Sequence, residues 1–174
     1  MIVQRLGPDD WRTWREVRLA ALADAPYAYG STYAREARFD ESEWRARLAP
    51  DNGMTAVALD ATVGIGAIGI YLLPETGAAL LIAAWVAPAA RGRGIGDALV
   101  AEALRWAREH GHQQVSLRVA DGNQPARRLF LRTGFVPTGQ RIPLESDPAV
   151  GTEVLVRKLS DPADTVEPCQ NPSV

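Results

Sequence analysis

The chain has 174 residues, 47% of them apolar, with a formal charge of −2; that suits one domain with a sizeable core and gives no overall attraction to nucleic acid or to a membrane surface. No apolar run reaches the ~18 residues of a membrane span, and the N-terminus lacks a charged segment followed by a hydrophobic one. The lone Cys169 precludes an intramolecular disulfide, so the expectation is a soluble, cytoplasmic protein.

A first strand is predicted at about 2–6. Pro8, Asp9 and Asp10 suit the first turn of a helix whose apolar face holds Trp11, Trp14, Val17, Ala21 and Leu22, and which stops before Pro26. Asp40-Glu41-Ser42-Glu43 has the form of a capping box. It opens a second helix, with Trp44 and Leu48 on one face, that ends at Pro50. Residues 54–59 and 63–73 read as two strands joined by a hairpin turn at Asp60-Ala61-Thr62. Leu80 to Val86 is a nearly continuous apolar run, the pattern of a strand buried on both faces, and sets a strand over 79–87. In the next helix, 94–110, Ile95, Leu99, Val100, Ala103, Leu104 and Ala107 recur at helical spacing. His110 and His112, at its end, read as dipole partners and turn residues. A strand at 114–119, a helix at 123–133 and strands near 135–141 and 152–159 complete the pattern.

Beyond Ser160, Pro162, Pro168 and Pro172 stand among polar residues with little to bury. We therefore expect a domain over 1–159 and a disordered or loosely docked tail over 160–174. The element order implies an α/β (α+β) fold: a mixed, mostly antiparallel sheet of about seven strands, flanked by about four helices on both faces. Its parallel pair would be 79–87 and 114–119, joined by a right-handed crossover.

The densest signal is Arg91-Gly92-Arg93-Gly94-Ile95-Gly96, between the apolar strand and the helix. A strand, a glycine-rich turn and a helix start aim free backbone N–H groups and the positive end of a helix dipole at an anion. Spacing excludes two familiar phosphate loops. The chain's one lysine, Lys158, is far away, so no G-x-x-x-x-G-K-[ST] is present; a G-x-G-x-x-G reading from Gly92 puts its third glycine on Asp97. Charge is uneven as well: residues 91–132 hold eight arginines against four acids, a balance of +4, and the remainder of the chain is −6. Such a patch suits a polyanion.

Arg91, Gly94 and Gly96 instead fit R-x-x-G-x-G, preceded by Val86 and Pro88. Further on, Asn123, Ala126, Leu129, Phe130, Gly134 and Phe135 follow N-x-x-A-x-x-L-Y-x-x-x-G-F, with phenylalanine in the tyrosine position. Together, in this order and at this distance, the two motifs resemble the GNAT superfamily of acyl-coenzyme A-dependent N-acyltransferases, best from about residue 54 to 159. The resemblance implies that two central strands splay apart after the glycine turn and admit the pantetheine arm of acetyl-coenzyme A. Trp85, Val86 and Ala87 would offer it backbone. Main-chain groups of Arg91, Gly92, Arg93, Gly94, Ile95 and Gly96 would hold the pyrophosphate, with Asp97 in the same first turn. Asn123, also a reading for a helix N-cap, would meet the pantetheine arm beside Ala126, Arg127 and Phe130. A backbone N–H near Val86 would face the thioester oxygen.

Two departures stand out. Phe130 cannot protonate a leaving thiolate, and Ile82, Ala83 and Ala84 stand where some members of the superfamily carry a glutamate base. Candidate bases are Tyr71, Glu75, Glu36, Glu145, Asp147 or an ordered water. Tyr27, Tyr29 and Tyr33 lie where an acceptor loop would be. The loop at 141–151, with Glu145 and Asp147, would form the other acceptor wall, and its acids would suit a cationic amine. The implied activity is N-acetyl transfer from acetyl-coenzyme A to a primary amine; the alternative is a non-catalytic coenzyme A-binding module. The implied partners are a small-molecule or peptide amine and, as a homodimer, a second copy, with no nucleic acid, no membrane and no metal. Small metabolite, antibiotic, polyamine and protein N-terminus all remain open as acceptors.

Overall fold

Period-two and period-3.6 patterning sorts residues 1–159, the part described in this computed structural model, into seven strands and five helices. The strands are β1 (Ile2–Leu6), β2 (Gly53–Asp60), β3 (Val63–Leu72), β4 (Ala79–Val86), β5 (Gln114–Ala120), β6 (Val136–Leu144) and β7 (Asp147–Lys158). The helices are α1 (Trp11–Asp24), α2 (Tyr33–Glu36), α3 (Glu41–Ala46), α4 (Ile95–Glu109) and α5 (Gln124–Arg132). They build one sheet in the order β1-β2-β3-β4-β5-β7-β6. Every neighbouring pair is antiparallel except β4 and β5, the parallel pair that the crossover through α4 requires. The expected tail, with Cys169, lies outside the described residues.

Local chemistry sets the helix ends. The capping box forms as read: Asp40 accepts from the Glu43 N–H at 2.9 Å, and Glu43 accepts from the Asp40 N–H at 2.8 Å. Pro8–Asp10 is a 3-10 turn, and the first helix proper begins at Trp11. Two expectations need correction. A fifth helix, the single turn α2, lies between the two that were read. The expected loop at 141–151 is instead a hairpin whose strands run on to Leu144 and resume at Asp147; Pro143 and Pro148 are tolerated because β6 is an edge strand and Pro148 lies at the hairpin end.

Apolar faces pack on both sides of the sheet. Ile95, Leu99, Val100, Ala103 and Leu104 of α4, with Phe130 of α5, cover one face together with Ile68, Leu81, Val115 and Leu117. Trp14, Val17, Leu22 and Trp44, from α1 and α3, cover Val57, Ala67 and Trp85 on the other. No helix among the described residues is long and apolar enough to cross a membrane.

Candidate active site

The site begins where the sheet opens. β4 and β5 pair at Ala79–Val115, Leu80–Ser116 and Leu81–Leu117 and no further. Beyond those rungs β4 stays with β3 as far as Val86, and β5 stays with β7 as far as Ala120, so a wedge widens between them. A bulge in β4 starts the divergence. Ala67 pairs with Trp85 and Gly69 with Ile82, which sets Ala83 and Ala84 opposite the single residue Ile68. Ala83 takes φ +57°, a left-handed conformation unusual for a residue with a Cβ and a common mark of functional sites.

Backbone direction follows from that geometry. The Ala87 N–H donates to the Ile65 carbonyl at 2.9 Å, toward β3. Neighbouring strand residues point oppositely, so the Val86 N–H and C=O face the wedge. The Val86 carbonyl accepts from Arg91 Nε at 3.0 Å, and Arg91 Nη2 also donates to Asp24 Oδ2. That Asp24 oxygen accepts from the Trp85 indole N–H at 3.0 Å as well. Arg91 thus ties the glycine turn to the end of β4 and of α1. Its charge is already partnered, contrary to a bare anion-binding arginine.

A cleft of about 520 Å³ runs along the wedge and the start of α4. Gly92 and Gly94 line it with φ of +77° and +76°, and a Cβ on either would meet nothing within 4 Å. Gly94 is the N-cap of α4, so unpaired first-turn N–H groups face this opening. Gly96 answers to packing as well, since a Cβ there would come within 3.0 Å of Leu129 on α5. Asp97 lines the cleft but binds Arg132 through both oxygens, at 2.8 and 2.7 Å; the Arg132 hydrogen bonds hold its carboxyl below the ordinary value.

A second cleft, of about 450 Å³, opens on the other face of the sheet. Ala28, Tyr29, Ala84, Asn123, Ala126 and Phe130 line both clefts, so the two meet at the wedge. Asn123 is the N-cap of α5, accepting from the Ala126 N–H at 3.3 Å. Phe130 is buried edge-on to Phe135 and forms a wall. The Tyr29 hydroxyl donates to the Ala84 carbonyl at 3.3 Å, and burial pushes its pKa up to about 12, so it remains protonated.

Of the sequence candidates, Trp85, Val86, Arg91, Gly92, Gly94, Ile95, Gly96, Asp97, Asn123, Ala126 and Phe130 line the first cleft. Ala87, Arg93, Arg127 and Asp147 line neither. Arg93 lies 3.6 Å from Asp60, and Arg127 pairs with Glu153 at 2.8 Å. Asp147 accepts from the Ala149 N–H within its own hairpin. Tyr27 lines the first cleft, while Tyr71 and Glu145 line the second. Glu36 also lines the second cleft but is fully ion-paired to Arg18. Asp24 carries no signal in the sequence, and Arg118 and Arg132 enter there only as members of the basic stretch at 91–132, with no role of their own. The alternation of β5 holds the signal for Arg118, whose neighbours Leu117 and Val119 are buried while it is exposed.

A family model described as the acetyltransferase (GNAT) family matches residues 13–135. N-acetyltransferase 8F1 of Rattus norvegicus is 45% identical over 51 residues, which is 29% of this chain and 23% of that relative. The ribosomal-protein-alanine N-acetyltransferase of Brucella melitensis has a similar structure, with TM-score 0.74 and 18% identity, covering 91% of this chain and 99% of that one. A GCN5-related N-acetyltransferase from Kribbella flavida gives 0.67 at 25% identity, covering 90% and 96%. The yncA protein of Salmonella typhimurium, solved with its cofactor acetyl-CoA, gives 0.74 at 16% identity, covering 97% and 98%.

Proposed function

The chain belongs to the acetyltransferase (GNAT) family, and on that premise we propose that it transfers an acetyl group from acetyl-coenzyme A to a primary amine by direct attack. One observation carries the reading: a helix N-terminus bared by two left-handed glycines opens into the same cleft as the wedge between β4 and β5. Those residues fit the coenzyme. Gly92, Gly94 and the first turn of α4 suit a pyrophosphate, having open space where side chains would stand. Val86, with Asn123 and Ala126 opposite, suits the arm that follows. Bound acetyl-coenzyme A supplies an acetyl group activated as a thioester.

The amine enters from the second cleft. Its nitrogen bonds to the acetyl carbon, the C–S bond breaks, and the proton lost by nitrogen ends on the departing thiol. Deprotonating an alkyl amine at pH 7 costs roughly 4–5 kcal/mol, and protonating a leaving thiolate matters less. Alignment of two reactants supplies roughly 7–11 kcal/mol, so the walls at the junction carry more of the rate than any single acid. Val86 N–H is the donor for the thioester oxygen. Tyr29, the phenol that lines both clefts, is the proton donor available where Phe130 has none.

The test is thiol release when the protein, acetyl-coenzyme A and a panel of amines are mixed. We expect turnover in the wild type, a roughly hundredfold or greater loss of kcat in Tyr29→Phe, and a faster rate in Phe130→Tyr. Coenzyme binding by calorimetry with no release from any amine or peptide would instead favour a non-catalytic binding module.

A further inference from the structure

The second cleft is cationic. Its lining includes Arg18, Arg35, Arg47 and Arg118 against Glu36 and Glu145, four guanidinium groups to two carboxylates. Glu36 is taken: Arg18 holds both its oxygens at 2.9 and 2.8 Å, and Arg47 lies 3.7 Å from it. Glu145 is exposed at the tip of the β6–β7 hairpin. Arg35 and Arg118 are exposed, and neither has a carboxylate partner among the described residues. This contrasts with the arginines around the first cleft, where Arg91 and Arg132 are each paired to an aspartate.

Arg118 is the better placed of the two. It follows Leu117, the last β5 residue paired to β4, and so stands where the wedge begins to open. Register puts Tyr71, Leu80 and Ser116 on one face of the sheet, and the period of two adds Ile82 and Arg118 to that face. Tyr71 and Ile82 are 37% and 40% exposed, unusually bare for their size. A cation therefore sits beside an apolar floor at the mouth of the passage through which an amine must approach.

We infer that the acceptor is a primary amine that also carries a carboxylate and an apolar side chain, as a free apolar amino acid does, with Arg118 receiving the carboxylate. This rests on the acetyl-transfer reading above and sharpens it. An anion-seeking guanidinium close to the wedge holds the amine end toward the junction. The same positive balance repels polyamines, so the cleft opposes the cationic acceptor that Glu145 and Asp147 suggested in the sequence.

The experiment compares matched acceptors in the thiol-release assay with the full chain: L-leucine against 3-methylbutylamine and leucinamide, and L-phenylalanine against phenethylamine. The expected result is a kcat/KM roughly tenfold to hundredfold higher for each carboxylate, with leucinamide behaving like the bare amine and spermidine poorest. Arg118→Gln should shrink that preference about tenfold, mainly through KM for the amino acid. A wild-type preference near one, an equal rate with leucinamide, or a preference untouched by Arg118→Gln overturns the inference. In each case turnover of the bare amines leaves acetyl transfer standing. Coenzyme binding with no release from any acceptor removes both readings.

Discussion

Gly94→Val is expected to weaken acetyl-coenzyme A binding by roughly a hundredfold, the loss of one or two charge-assisted hydrogen bonds to backbone N–H groups. Two effects act together. Gly94 holds φ +76°, where a β-branched residue is a steric outlier, so valine pulls the N-cap of α4 out of position. A side chain there also projects into space that is open to 4 Å, which the proposed function gives to the phosphate oxygens approaching the first-turn N–H groups. Titration calorimetry measures the affinity, and thermal unfolding reports whether α4 remains docked. Gly94→Ala, smaller and less strained at this φ because it is not β-branched, should lose less. Gly96→Ala probes a different contact, because its Cβ would press on Leu129 at 3.0 Å; its effect should fall on stability first. Folded Gly94→Val protein with unaltered affinity would remove the phosphate assignment.

The glycine turn was legible because its chemistry is local. A strand, three alternating glycines and a helix are consecutive in the chain, and the strain that glycine relieves belongs to single residues. The same holds for the Asp40–Glu43 capping box and for Asn123, whose cap bond spans three residues. The parallel pairing of β4 and β5 also followed, since a crossover helix permits little else.

What the sequence hid was non-local. The basic stretch at 91–132 looked like an open cationic patch, yet Asp24 neutralises Arg91 from 67 residues away and Glu153 neutralises Arg127 from 26. Charge counted along a chain says nothing of such partners. Helix α2 has four residues, too few to show a period and too few to form unaided. The β4 bulge depends on alanine at φ +57°, which no propensity favours; the pairing of β3 on one side and the wedge on the other impose it. One candidate base was obscured for the same reason. Glu36 reads as a free carboxylate until Arg18 is brought beside it by the packing of α2 on α1.

That pairing leads to the second large effect: Glu36→Ala is expected to destabilise the protein by roughly 3–5 kcal/mol, the cost of stripping one partner from a buried pair. Glu36 is completely buried, and Arg18 is 8% exposed. Burial alone would raise the Glu36 pKa, but the Arg18 hydrogen bonds and charge, with Arg47 behind them, outweigh it and hold the carboxyl below its ordinary value. A depressed folded pKa fixes the sign: the stabilisation is complete above the unfolded carboxylate value and is lost as pH falls through the folded one. The deficit of Glu36→Ala should therefore be full at pH 7, on the order of 10 °C in Tm, and narrow as the wild type is acidified. Arg18→Met combined with Glu36→Leu removes both charges and should recover much of the loss. Because the pair also walls the second cleft, the single variant should raise KM for the amine more than KM for the coenzyme. An unchanged melting temperature at pH 7, or a double variant no better than the single one, would show that the ion pair does not anchor α2 to α1.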